Sequence, residues 1–132
     1  MIEGIDMEKR FGTVLNCIDG RTQIPIIKWM KENADLDYVD LITEPGMDKV
    51  LSQGCYSDIF RIRNNVMTSI SAHDSHIVAV AGHYDCAANP VNDCKHFQDI
   101  FVSVCRIKTW GLPVKVIGLW VDEYWKVHIA PM

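Results

Sequence analysis

The stretch "GTVLNCIDGR" (residues 12–21) runs from a short apolar, β-prone segment into a thiol, a carboxylate and a guanidinium at alternate positions, Cys17, Asp19 and Arg21. Its first seven residues, "GTVLNCI" (12–18), lack the apolar–polar alternation of a half-exposed strand and read as a buried one, the kind found in parallel sheets covered on both faces. Cys17 then lies where the strand gives out, so reactive side chains follow directly on the chain's exit from the sheet. "PIIKWMKENA" (25–34) spaces its apolar residues as a helix does, with Pro25 near its start.

The rest of the chain repeats this strand–helix rhythm. "DYVDLITE" (37–44) reads as a second strand closed by Pro45-Gly46, and a short helix follows over 47–53. Between Ser57 and Asp74, Ile59, Ile62, Val66 and Ile70 recur three or four apart and mark a helix stripe. "HIVAVAG" (76–82) is a third buried strand. "VNDCKHFQDIFVSVCRIKTWG" (91–111) sets Phe97, Ile100, Phe101, Val104 and Ile107 on one side of a long helix that Gly111 and Pro113 stop. "VKVIGLWV" (114–121) is a fourth strand, and "EYWKVHI" (123–129) turns back beside it. The expected fold is α/β: a mainly parallel four-stranded sheet in the order 2-1-3-4, flanked by helices on both faces, with an antiparallel fifth strand at the C-terminus.

The chain has 132 residues, 48% of them hydrophobic, which suits one domain over residues 1–132 with a substantial core and no disordered bias. A net charge of −4 and scattered basic residues exclude nucleic acid as the expected partner. No apolar run is long enough to span a bilayer, so no membrane is expected either. "MIEGIDMEKR" (1–10) is acidic and does not read as a signal peptide. Five cysteines, an odd number at irregular spacing (17, 55, 86, 94 and 105), point to reduced thiols and a cytoplasmic location rather than a disulfide framework.

In doubly wound sheets, ligands bind at the carboxyl ends of strands where the connections diverge. With strands one and three adjacent, Cys17 and the "GHYDC" turn (82–86) would face the same crevice, bringing Cys17, His83 and Cys86 together. Two thiolates and an imidazole make a three-ligand zinc set with an open fourth position, and the ion would hold the thiols deprotonated. Asp19 is close enough in sequence to ligate the metal or to accept a proton from its bound water. Arg21 can hold that carboxylate in a bidentate pair and keep it off the metal.

Cys17-Ile18-Asp19-Gly20-Arg21 followed by Pro25, together with Gly82-His83-Tyr84-Asp85-Cys86, resembles the β-class carbonic anhydrases. That family carries Cys-x-Asp-x-Arg after its first strand and His-x-x-Cys after its third, and the likeness covers roughly residues 11 to 121 in element order. The resemblance implies zinc on Cys17, His83 and Cys86, an Asp19–Arg21 catalytic dyad, and reversible hydration of carbon dioxide by zinc-bound hydroxide. It also implies a homodimer or higher homo-oligomer and a small-molecule substrate. The chain departs from the family in three places. "RIRNN" (61–65) imitates the family's Arg-Asn-Ala-Gly-Asn stretch but falls in a helix, Thr43-Glu44-Pro45-Gly46 stands at the second strand's end, and Ala87 replaces a glycine. The chain is thus similar to a short, divergent branch of the family. Two other readings use the same residues: a zinc hydrolase of carbonyl sulfide or carbon disulfide, and a non-catalytic zinc domain in which Asp19 closes the fourth position.

Other polar residues have plainer readings. Asp85 is a turn residue and Asp122 another, while Glu44 is either a pocket group or a strand-end charge. Cys94 and His96, two apart on a helix, point to different sides and do not form a metal pair. Cys55 and Cys105 are expected in the core. His73, His76 and His128 are solvated or capping, and Trp110, Trp120, Tyr124 and Trp125 pack the last helix and strands or a subunit seam.

Overall fold

The computed structural model describes residues 9–132. Its elements in chain order are β1 (Phe11–Asn16), α1 (Gly20–Asn33), β2 (Tyr38–Thr43), α2 (Met47–Gln53), α3 (Tyr56–His73), β3 (Ile77–His83), α4 (Asp93–Lys108), β4 (Lys115–Val121) and β5 (Val127–Ile129). The strands form one sheet in the order β2-β1-β3-β4-β5. The β1–β2, β1–β3 and β3–β4 pairs are parallel and the β4–β5 pair is antiparallel, so the expected α/β architecture is the one observed.

Period-two side-chain alternation divides the strand residues between two apolar layers. Val14, Ala79, Ala81, Leu119 and Val121 turn to one face, where Ile26 and Met30 of α1 cover them. Leu15, Val78, Val80 and Trp120 turn to the other, where Met47 and Leu51 of α2, Ile62 and Val66 of α3, and Ile100, Val104 and Ile107 of α4 close over them. Strands buried on both sides have no room for polar alternation, which is why their sequences are continuous apolar runs.

Three details differ from the reading of the sequence. Helix α1 starts at Gly20 rather than near Pro25, because Asp19 caps it by accepting the Arg21 backbone N–H at 2.9 Å. Pro25 is then carried inside the helix. Its missing N–H leaves the Arg21 carbonyl without its helical partner. Cys55 and Cys105 are exposed rather than in the core. Cys55 stands at the N-cap of α3, outside the helix, and Cys105 is turned off the inward stripe of Val104 and Ile107. Phe101 is likewise exposed, set round the helix side from Ile100.

A buried hydroxyl trio ties the start of the sheet to α3. Thr13 Oγ1 lies 2.7 Å from Ser69 Oγ and 2.8 Å from Ser75 Oγ, and Ser69 donates to Asp40 Oδ2 at 2.6 Å. Thr13→Val keeps the shape but removes one partner from each serine, which retain their bonds to Asp40 and to the Ile77 carbonyl, so it should cost about 1 kcal/mol in urea unfolding. An unchanged urea midpoint would show that the trio contributes nothing net.

Candidate metal centre

Strands β1 and β3 are neighbours, but β1 leads through α1 toward one edge of the sheet and β3 leads through α4 toward the other. Their carboxyl ends therefore flank the crevice left by diverging connections. Cys17 is the first residue beyond β1, His83 is the last of β3, and Cys86 sits in the turn that follows. The two sulfurs are 4.0 Å apart. One donor atom from each of Cys17, His83 and Cys86 lies within 4.8 Å of the others, and all three residues are buried.

Local structure sets each donor. The Cys17-Ile18-Asp19 corner is held by Gln23, whose Nε2 donates to the Cys17 carbonyl at 2.8 Å and to the Asp19 carbonyl at 3.1 Å. Buried Asn16 braces the same helix turn, donating to Thr22 Oγ1 at 2.9 Å and Gln23 Oε1 at 3.0 Å. The Gly46 N–H donates to Cys17 Sγ at 3.4 Å. Gly46 adopts φ +63°, and a Cβ there would lie 3.1–3.2 Å from Ala88, so this approach to the sulfur needs glycine. His83 Nδ1–H donates to the Tyr84 carbonyl at 2.7 Å, leaving Nε2 as the atom the ring can offer; Nε2 is buried with no hydrogen-bond partner.

The charges expose a conflict within the cluster. Contact with the Cys86 thiol, then His83 and the Gly46 N–H, pull the Cys17 thiol well below its ordinary range, although burial opposes this. Contact with Cys17, reinforced by burial, pushes Cys86 up. Burial works against a charged His83 ring, but the adjacent Cys17 sulfur and the Tyr84 carbonyl outweigh it and raise its value. Two buried thiols this close resist double ionisation. A cation held between them removes that repulsion and also gives the orphaned imidazole nitrogen a partner. Two sulfurs and one ring nitrogen match the Cys₂His donor set of zinc sites that keep an open position, so the residues present fit such an ion.

Asp19 and Arg21 stand beside this cluster. Arg21 Nη2 meets Asp19 Oδ2 at 2.7 Å and Nε meets Oδ1 at 3.0 Å, so both carboxylate oxygens are engaged. The Arg21 hydrogen bonds outweigh burial and hold the Asp19 carboxyl at about 2. Sequence reasoning missed the rest of the Arg21 environment. Its Nη1 reaches Asp85 Oδ2 at 3.2 Å, its Nη2 reaches the Asp85 carbonyl at 3.2 Å, and its guanidinium carbon lies 4.5 Å from the centre of the Trp125 ring. Asp85 and Trp125 both have positive φ, 57° and 62°, in tight turns. An Asp inside His-x-x-Cys hinted at such a turn, but nothing local in "EYWKV" announced the stack.

Glu44 pairs with Arg61, the first residue of "RIRNN", which lies within α3. Cys94 is exposed, whereas His96 is buried with its Nδ1 2.6 Å from Asp48 Oδ2, so these two are not a pair. His73, His76 and His128 are exposed and sit against Asp40, Asp74 and Asp122. Asp122 caps the β4–β5 turn by accepting the backbone N–H groups of Tyr124 and Lys126. A large cleft of about 1070 Å³ opens at the opposite, amino ends of the strands among Arg10, Trp29, His73 and Lys115. None of the three metal-donor residues lines it.

Sheet and cluster together define the class: an α/β protein whose topological switch point carries a Cys-His-Cys set able to hold a metal ion. The chain belongs to the family described as "Putative carbonic anhydrase", which matches residues 7–131. No curated relative matches the chain at a significant level.

The Asp19–Arg21 pair has a testable acid signature. Because the Asp19 value is lowered on folding, the pair stabilises fully above about pH 4, and that stabilisation is lost as pH falls through about 2. In Arg21→Gln, a carboxyl-carbon NMR titration should find Asp19 returned toward about 4. A value that stays near 2 would assign the depression to the helix cap instead.

Proposed function

We propose that this chain is a zinc-dependent lyase that interconverts carbon dioxide and bicarbonate, working as a cytoplasmic homodimer or higher homo-oligomer. The observation that carries the reading is the convergence of two buried sulfurs with an imidazole whose Nε2 has no protein partner. Family membership over residues 7–131 supports it. Among the described residues no helix is long and apolar enough to cross a membrane.

Cys17, His83 and Cys86 would hold the zinc, and the hydrogen bond from Nδ1–H to the Tyr84 carbonyl fixes the histidine tautomer that offers Nε2. The chemistry zinc supplies when bound is hydroxide at neutral pH, since it lowers the pKa of water to about 7. Asp19 remains ionised throughout that range. A carboxylate held at about 2 is a poor base near neutrality, so its part is to accept a hydrogen bond and orient a proton-bearing oxygen. Arg21 keeps both Asp19 oxygens occupied, which favours the open three-ligand site over the closed one in which Asp19 binds the metal.

Zinc-loaded protein should accelerate carbon dioxide hydration in a stopped-flow indicator assay between pH 7 and 9. A rate equal to the buffer background would defeat the lyase reading, and activity on carbonyl sulfide or carbon disulfide alone would transfer the site to those substrates. Cys86→Ser should lose its zinc, falling from about one ion per chain toward none by elemental analysis. Full zinc content in that variant would remove Cys86 from the ligand set.

A further inference from the structure

Beneath the cluster lies a buried polar network that the chemistry above does not use. Asp48 of α2 accepts His96 Nδ1–H on Oδ2 at 2.6 Å and Asn89 Nδ2 on Oδ1 at 3.1 Å. The second Asn89 Nδ2 hydrogen goes to Asp99 Oδ2 at 3.0 Å, and Lys95 pairs with the other Asp99 oxygen. Asp48, Asn89, His96 and Asp99 are each at most 2% exposed. Both amide donors of Asn89 are used, so its side chain is fixed in one orientation. Two buried carboxylates are a costly way to fill a core, and apolar residues of similar size would pack the same space more cheaply.

The network touches the chain segments that present all three donors. Asp48 follows Gly46 by two residues, and the Gly46 N–H is the one that donates to the Cys17 sulfur. Gly82 directly precedes His83, and a Cβ there would come within 2.8 Å of Asp48 Oδ2, so the carboxylate lies against the backbone that carries the imidazole. Asn89 lies three residues past Cys86 in the same loop, so its side-chain hydrogen bonds tie the Cys86 segment to Asp48 and Asp99.

We infer that Asp48 and Asn89 are positioning residues for the metal centre: their buried hydrogen bonds hold the Cys17, His83 and Cys86 segments in register and keep the Gly46 N–H aimed at the Cys17 sulfur. The inference rests on the metal-site reading above and deepens it. A frame of this kind presets where the sulfurs stand and how much charge they carry, and so tunes the affinity and ligand field of any ion bound there.

Cobalt(II) is the probe, because thiolate-to-cobalt absorption reports sulfur ligation and the d–d bands report geometry, independently of catalysis. Asn89→Ala and the isosteric Asp48→Asn should bind cobalt about 10- to 100-fold more weakly than the unaltered protein, with displaced d–d bands. Asn92→Ala serves as the control. It removes the cap of α4, where the Asn92 side chain accepts the Lys95 N–H at 2.9 Å, and should destabilise the fold while leaving cobalt affinity and spectrum unchanged. Folded Asn89→Ala with the unaltered affinity and spectrum overturns the inference, whether or not Asp48→Asn folds. So does an equal loss of affinity in Asn92→Ala, since general destabilisation would then explain it. Absence of thiolate absorption in the unaltered protein is a distinct result that takes down the metal-site reading and this inference with it.

Discussion

Two sulfur atoms 4.0 Å apart, both on buried residues, set the terms for the rest of this molecule. Neither can carry a full charge without penalising the other, and the pocket answers with asymmetry: Cys17 is drawn toward the thiolate and Cys86 away from it. Beside the pair, the Gly46 N–H donates to the Cys17 sulfur, and the His83 ring, its Nδ1–H taken by a main-chain carbonyl, leaves Nε2 without a protein partner. Two sulfurs and a ring nitrogen so placed are a donor set able to hold a metal ion.

The fold makes this convergence inexpensive. Parallel pairing of β1 with β3 aligns their carboxyl ends, so residues 66 positions apart meet without any long loop having to be ordered around them. Both strands are sealed in apolar layers, and the donors inherit the rigidity of a doubly covered sheet. The exits are then trimmed by short, specific devices: an Asp cap on α1, a left-handed glycine at residue 46 and an Asp in left-handed conformation at residue 85.

Much of this was legible from local pattern. Continuous apolar runs such as "HIVAVAG" carry the signature of strands buried on both sides, and alternating strands and helices leave few topologies open. Cys17, His83 and Cys86 could be found because each lies at or just past the end of such a run. What the linear pattern hid were contacts made across elements. Pro25 has the look of a helix boundary in the linear pattern, whereas the capping geometry of Asp19, six residues earlier, sets the start of α1. Residue type alone places Cys55 and Cys105 in the core, yet Cys55 stands outside the helix it caps and helix phase turns Cys105 to solvent. The stack of Arg21 on Trp125, and the network of Asp48, Asn89, His96 and Asp99, join segments far apart in the chain, and no spacing rule reports them.

Arg21 reaches from its own helix to the carboxylate before it, to the turn holding Asp85 and to the ring of Trp125, so one planar cation laces together the exits of β1, β3 and β4. None of these contacts involves the thiols or the imidazole. The rim is therefore braced by contacts in which the donor set takes no part, so the three strand exits stay tied together whichever of those donors is replaced.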